Sequence, residues 1–346
     1  MKYSITQYLL LGAVALVYVG VITGPMRKIA IRYNAVDSPD MARKIQKAPV
    51  PYLGGVAIAV GVVITSYIAL VAKDFSLKSI GLASSVLVPA ILISAMGLWD
   101  DLRGLQPWPR LIAQSVVGTV VALVIVNSGT TGTPFGTSTL NTAISIFWIV
   151  GICNSINFFD NLDGAAVGAV AIAALGVFFI AFDRGQELVS ALSIVTAGAT
   201  IGFLMWNKSP AKIYMGDAGA LFLGIIISVA TIRLNPGIEP IWKSLTIPVI
   251  LLAVPLLDTC VAVFSRISRR VSPLTGGKDH LSHRLVRAGL SRPMAAIALW
   301  AASGVCAIVA VVIYMYPDSY GTFLIYVFVA SWVSALVLFL RTPSHD

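Results

Sequence analysis

Charge is what this sequence is short of. Only 11% of its 346 residues are Asp, Glu, Lys or Arg, against roughly a quarter in an ordinary soluble domain. That is too little to cover a water-facing surface. With 58% hydrophobic residues and a mean hydropathy of +0.89, the shortage excludes a soluble globule, a disordered chain and a coiled coil. Cysteine is scarce too. Cys153, Cys260 and Cys306 are an odd number within or at the edge of apolar runs, which reads as membrane packing rather than disulfides or metal ligands.

What is plentiful is apolar sequence in long stretches. A helix needs about 20 apolar residues to cross the hydrocarbon core. Eleven windows qualify: 5–23, 53–72, 80–99, 109–127, 139–157, 165–182, 187–206, 219–232, 244–264, 293–316 and 320–340, the eighth of them short. They leave no room for a folded soluble domain, so residues 1–346 are expected to form one all-α, polytopic membrane domain. The apolar run of the first window exceeds the roughly 7–15 residues of a signal peptide and is read as a retained helix.

Orientation follows from Lys and Arg. With the N-terminus outside and all eleven windows spanning, most of the 24 basic residues fall in cytoplasmic segments: Arg27 to Lys47, Arg103 and Arg110, Lys208 and Lys212, Arg266 to Arg292, and Arg341 in a cytoplasmic C-terminal tail. This is the positive-inside pattern. The net charge of +9 thus reflects topology and attraction to anionic lipid, and it would also gather an anionic substrate. Nucleic acid is not expected as a partner, because no soluble basic module is present.

The acidic minority is more informative. Asp100, Asp101, Asp160, Asp163, Asp217 and Asp258 all fall at the cytoplasmic ends of windows. A charge at a helix centre costs roughly 2.5–3.5 kcal/mol on insertion scales, and six carboxylates at one level repel one another. Taken singly, each has a plain explanation. Asp217 could cap the following helix, Asp258 could pair with Arg266 roughly 12 Å along the helix, and Asp100-Asp101 could form a turn into Arg103 and Gly104. Together, neighbouring Lys and Arg or a hard divalent cation must stabilise them. Mg²⁺ is typically held by one or two carboxylates plus substrate phosphates, so a phosphate-handling Mg²⁺ site at the inner face uses all these parts. Asp160 and Asp163 share a helix face with Asn154 and Asn157. Gly54 and Gly55 either pack helices closely or let a phosphate approach the backbone. The helix opened by Gly216 presents a positive dipole end to an anion. His280 and His283, beside Lys278 and Arg284, either are solvated or act on diphosphate charge or on a proton.

At these residues the sequence resembles the polyprenyl-phosphate N-acetylhexosamine-1-phosphate transferase family, nearer its N-acetylglucosamine-1-phosphate branch than its muramoyl-pentapeptide branch. The resemblance runs from about residue 37 to 290. It rests on Asp37-Ser-Pro39 … Arg43-Lys44 … Pro49-Val-Pro51 … Gly54-Gly55, on Gly97-Leu-Trp-Asp100-Asp101, and on Asn154-Ser-Ile-Asn157-Phe-Phe-Asp160-Asn-Leu-Asp163-Gly164. Asn207 … Pro210-Ala-Lys212-Ile-Tyr-Met-Gly216-Asp217 and His280-Leu-Ser-His283-Arg284 complete it. Any one motif is weak; five in order on a polytopic chain are specific.

The resemblance implies transfer of a sugar 1-phosphate from a UDP-N-acetylhexosamine, N-acetylglucosamine by preference, to a polyprenyl (undecaprenyl or decaprenyl) phosphate. The reaction would take place on the cytoplasmic face of the plasma membrane, with Mg²⁺ or Mn²⁺ and release of UMP. By position it implies Asp217 as metal ligand, with Asp100 or Asp101 beside it. Asp100, Asp101, Asp160, His280 and His283 are then the catalytic candidates, and Lys47, Asn157, Asp163, Asn207, Lys212 and Arg284 the substrate-binding ones. The sequence departs from the family pattern at four places. Gln46 stands near a usual His, Asn161 replaces a usual Gly, Ala220 a usual Ser, and Ser282 interrupts the usual His-x-His-His. None removes a carboxylate. Two other classes remain open: an intramembrane prenyltransferase with Asp-rich motifs, and an ion-coupled transporter, which would place its carboxylates near the midplane. Surrounding membrane lipids are expected partners, and the sequence leaves dimerisation through the helices open.

Overall fold

A computed structural model describes residues 3–37, 49–72 and 76–342. The described residues are all-α apart from one two-residue antiparallel ladder, β1 (Val36–Asp37) against β2 (Val50–Pro51), with Val36 opposite Pro51. The helices are α1 (Ile5–Arg32), α2 (Gly54–Val71), α3 (Leu77–Arg103), α4 (Pro107–Asn127), α5 (Ser138–Phe159), α6 (Ala165–Asp183) and α7 (Glu187–Asn207). There follow α8 (Gly216–Ile232), α9 (Ile241–Leu251), α10 (Ala253–Ser268), the short α11 (Leu281–Arg287), α12 (Arg292–Met315) and α13 (Thr322–Arg341). Every apolar window corresponds to helix.

Among the described residues, nine helices are long and apolar enough to cross a membrane, or ten if one bent pair counts as a span. The window 244–264 is that pair. α9 and α10 meet at 73° instead of forming one straight helix. Pro255 is the physical reason, because it lacks the N–H that would reach Leu251 and its ring crowds that carbonyl. The window 219–232 lies in α8, which has only 17 residues, or roughly 25 Å of helix, short of the ~30 Å hydrocarbon core.

Helices that are apolar all round belong inside a bundle. α6 and α8 are buried along nearly their whole length, whereas α13 buries only Ile325. Alternating helix direction brings the C-terminal ends of α3 and α5 to the same end of the bundle as the N-terminal ends of α4 and α8. Gly55 allows the tightest approach there: a Cβ on it would lie 2.1 Å from the backbone nitrogen of Gly219. Gly54 and Gly55 also donate backbone hydrogen bonds to Tyr214 and Met215, both at 3.0 Å. These glycines pack helices, and the 214–219 turn fills the space a phosphate would have needed. All three cysteines are unpaired.

Candidate active site

The turn into α8 is the centre of the polar end. Gly216 adopts φ +64°, a left-handed conformation that glycine takes without strain, and it turns the first N–H groups of α8 toward α3. Those N–H groups are orphan donors, and Asp101 satisfies them. Its Oδ1 accepts from Asp217 N–H at 2.9 Å and its Oδ2 from Ala218 N–H at 3.1 Å. The cap of α8 is therefore Asp101, reaching across from α3. Asp217 does not cap; it is freed for other contacts. Both Asp101 oxygens are engaged in this cap.

Released from capping, Asp217 turns to two neighbours. Asn157 Nδ2 donates to its Oδ1 at 2.7 Å, and Arg110 Nη1 donates to its Oδ2 at 2.8 Å. The same Arg110 nitrogen lies 2.9 Å from Asp100 Oδ2, and Leu105 N–H donates to the other Asp100 oxygen. One cation thus holds carboxylates from α3 and α8 together. Sequence reasoning missed Arg110, although a signal existed. It is a basic residue in the first turn of α4, where the helix dipole disfavours positive charge by roughly 0.3–1 kcal/mol, so something else must compensate.

Asp160 follows the last turn of α5. Burial, with the negative charge of Asp217 and Asp163, pushes its carboxyl up to about 8. Asp163 accepts from Ala211 N–H at 3.0 Å. Asn207 is buried and accepts from Gly164 N–H while donating to Ile213 O, each at 3.0 Å. The side chains of Asp163 and Asn207 fasten the 207–215 loop. Lys212 is exposed, with its ammonium 5.9 Å from the Trp206 ring centroid. Lys47 lies outside the described residues.

The loop after α10 forms a second polar group. Asp258 does not pair with Arg266. Its Oδ2 lies 2.7 Å from His280 Nδ1, and its Oδ1 accepts from Leu281 N–H at 2.7 Å. Arg266 instead donates to Asp279 at 3.0 Å and sits 3.2 Å from His280 Nε2. A guanidinium only donates, so the arrangement calls for the Nδ1–H tautomer, with both ring nitrogens of His280 occupied. Arg284 is 1% exposed and donates to the carbonyls of Asp279, Phe339 and Thr342 and to Ser265 Oγ. It clamps the end of α13 to the loop. Burial, helped by the positive charge of Arg287 and Lys278 and opposed by Asp258, lowers His283 to about 4. Its ring is uncharged at neutral pH.

The two groups touch through Phe158 and Asn161, and the Phe158 ring meets that of His280 edge-on, 6.1 Å between centroids. Phe158 lies under Arg266, with 5.4 Å from the guanidinium carbon to the ring centroid, and Ser282 Oγ donates to Asn161 Oδ1. Among the described residues no group of three or more His, Cys, Asp or Glu could hold a metal ion. What the end of the bundle does offer is a pair of carboxylates, Asp100 and Asp217, converging on one positive charge.

The family model described as glycosyl transferase family 4 matches residues 83–235. A probable undecaprenyl-phosphate N-acetylglucosaminyl 1-phosphate transferase of Bacillus subtilis (strain 168) is 33% identical over 314 residues, 87% of this chain and 83% of the relative. This chain belongs to the polyprenyl-phosphate N-acetylhexosamine-1-phosphate transferase family. A decaprenyl-phosphate N-acetylglucosaminephosphotransferase of Mycolicibacterium smegmatis is 31% identical over 328 residues, 86% of the chain and 80% of that protein. A phospho-N-acetylmuramoyl-pentapeptide-transferase of Streptococcus thermophilus, 30% identical, covers only 57% of the chain. The matched family segment of this phosphoglycosyl transferase contains Asp100, Asp101, Arg110, Asn157, Asp160 and Asp217, while the His280 loop lies beyond it.

Proposed function

We propose that this chain transfers N-acetylglucosamine 1-phosphate from UDP-N-acetylglucosamine to undecaprenyl or decaprenyl phosphate at the cytoplasmic face of the plasma membrane, starting a lipid-linked glycan for the cell wall. The observation that carries the reading is the convergence of Asp100 and Asp217 on Arg110 at 2.9 and 2.8 Å. The names of the relatives support the sugar and the lipid. Family membership sets the prenyltransferase and transporter readings aside. The cytoplasmic placement rests on the positive-inside bias: the helix ends that bear these carboxylates lie on the side of most Lys and Arg when eleven spans are counted from an outside N-terminus.

In the reaction a phosphate oxygen of the lipid forms a bond to the β-phosphorus of the UDP-sugar. The bond from that phosphorus to the bridging oxygen breaks, and UMP leaves with the electron pair. Both reactants are anions, so their approach must be offset by fixed positive charge. Arg110 supplies one such charge at the bundle end, oriented by two carboxylates. Asn157 fixes the Asp217 carboxylate, and Asp101 fixes the turn that carries it. Asp160 is able to exchange a proton near neutral pH. The Asp258–His280–Arg266 chain holds α11 and His283 against this end.

The donor set fits a divalent ion. Asp217 and Asp100 already gather positive charge at one point, and Mg²⁺ commonly takes one or two carboxylates and completes its shell with substrate phosphates and water. Asp217, with Asp100, would hold it. The chemistry supplied there is neutralisation of the diphosphate and of the leaving UMP.

The test is turnover of a UDP-sugar panel with polyprenyl phosphate in membranes, with and without EDTA, following UMP release. The expected result is EDTA-sensitive activity with UDP-N-acetylglucosamine, abolished in Asp217→Asn at unchanged expression and thermal stability. Full activity of Asp217→Asn would overturn the assignment.

A further inference from the structure

A cavity lies at the far end of the bundle from Asp217. α8 separates the two, running roughly 25 Å from Gly216 to Ile232, and Arg233 follows its last turn. The cavity has a volume of about 120 Å³, smaller than the roughly 300–1,000 Å³ of a site that encloses a whole ligand, so it takes part of a molecule whose remainder lies outside it. α2, α3, α7, the residues before α1 and the chain leaving α8 line it. Leu70, Val86, Leu87, Leu188 and Leu192 give it a mainly apolar wall.

Two residues of this wall carry buried polar atoms without a hydrogen-bond partner, Ser66 Oγ and Arg233 Nε. Among the described residues Arg233 forms no ion pair. Glu187 shares the wall but has its own interaction partner. A guanidinium partly withdrawn from water with no acceptor is unfavourable. The planar donor fork of Arg matches a phosphate group. A free phosphate would satisfy Arg233 and Ser66 but leave the leucine wall without contact. A plain hydrocarbon would fill the wall and leave both donors unpaired. Only an amphiphile answers both.

We propose that this cavity holds a membrane phospholipid, its phosphodiester on Arg233 and Ser66 and one acyl chain along the leucines of α3 and α7. The site is separate from the catalytic end. It would brace α3 and α8 at the ends opposite Asp100 and Asp217.

The full-length protein, delipidated in detergent, is titrated by native mass spectrometry and thermal melting. The probes are phosphatidylglycerol, phosphatidylethanolamine, diacylglycerol of matched chains, and inorganic phosphate. The expected result is that at least one phospholipid binds and raises the melting temperature, with diacylglycerol weaker by roughly tenfold or more and inorganic phosphate without effect. Arg233→Gln should remove the advantage over diacylglycerol. Ala83→Trp, which fills the cavity from α3, should abolish binding while Arg233 remains, so a folding defect in either variant alone does not decide the matter. Equal affinity for phospholipid and diacylglycerol, a shift reproduced by inorganic phosphate, or wild-type binding in both variants would overturn the proposal.

Discussion

Asp101 on α3 caps the helix that carries Asp217, accepting the Asp217 backbone N–H at 2.9 Å. Adjacent carboxylates in the sequence thus have different partners: Asp100 faces Arg110, and Asp101 faces the backbone of α8. Loss of a cap typically costs about 0.5–2 kcal/mol. Asp101→Ala is therefore expected to lower the melting temperature and, by letting the turn at Gly216 relax, to reduce turnover as well. Asp101→Asn keeps one acceptor oxygen and should recover part of both. Thermal melting and UMP release on the same preparations check this. A variant Asp101→Ala that is inactive with an unchanged melting temperature would point instead to direct chemistry.

Arg110 acts as counter-cation to Asp100 and Asp217. Removing it in Arg110→Ala leaves two facing carboxylates unneutralised, which destabilises the ligand-free protein. The same change gives a divalent ion more to neutralise. The expected outcome is a lower melting temperature in EDTA and a larger stabilisation by Mg²⁺ than in the wild type, read by thermal shift without substrate. Equal Mg²⁺ shifts in the two proteins would count against a shared cation position.

Much of this was legible in the sequence. Hydropathy located every long helix, because in lipid the backbone must satisfy itself and only apolar helices can do so. The carboxylates at one end were visible from their positions in those windows. Pairwise contacts were not. Nothing local says that Asp101 rather than Asp217 caps α8, that Asp258 meets His280 rather than Arg266, or that Arg284 is enclosed. These depend on which helix ends meet in space. The break at Leu252 could have been read from Pro255, since a proline inside a helix removes one hydrogen bond and crowds the preceding turn.

Asp160 gives a pH dependence with a definite sign. Its carboxyl is pushed up to about 8 in the folded protein, against roughly 3.9 when unfolded. The native state therefore binds more protons between these values, and this group's contribution to stability falls as pH rises through the window. Infrared spectra of the ligand-free protein should show a protonated carboxyl band at pH 7 that is lost above about pH 8. The wild-type-minus-Asp160→Asn difference spectrum should contain this component and lose it over the same pH range. A band that titrates near 4 would contradict this.

Ser282 and Asn161 join the two halves of the polar end. The Ser282 hydroxyl donates to Asn161 Oδ1, while Asn161 Nδ2 donates to Phe158 O at 2.7 Å. The pair thus ties the loop carrying His280 and His283 to the segment between Asp160 and Asp163. If it couples them, Ser282→Ala and Asn161→Ala should each lower turnover severalfold, and the double variant should be no worse than the poorer single one. Contacting residues that act as a unit are non-additive, with coupling of roughly 0.5–3 kcal/mol. Ser282→Thr retains the hydroxyl and should recover most of the activity. Additive losses across the cycle would mean that the two residues act separately, and the tie between the loops would then have to lie in the contacts of Phe158 with Arg266 and His280.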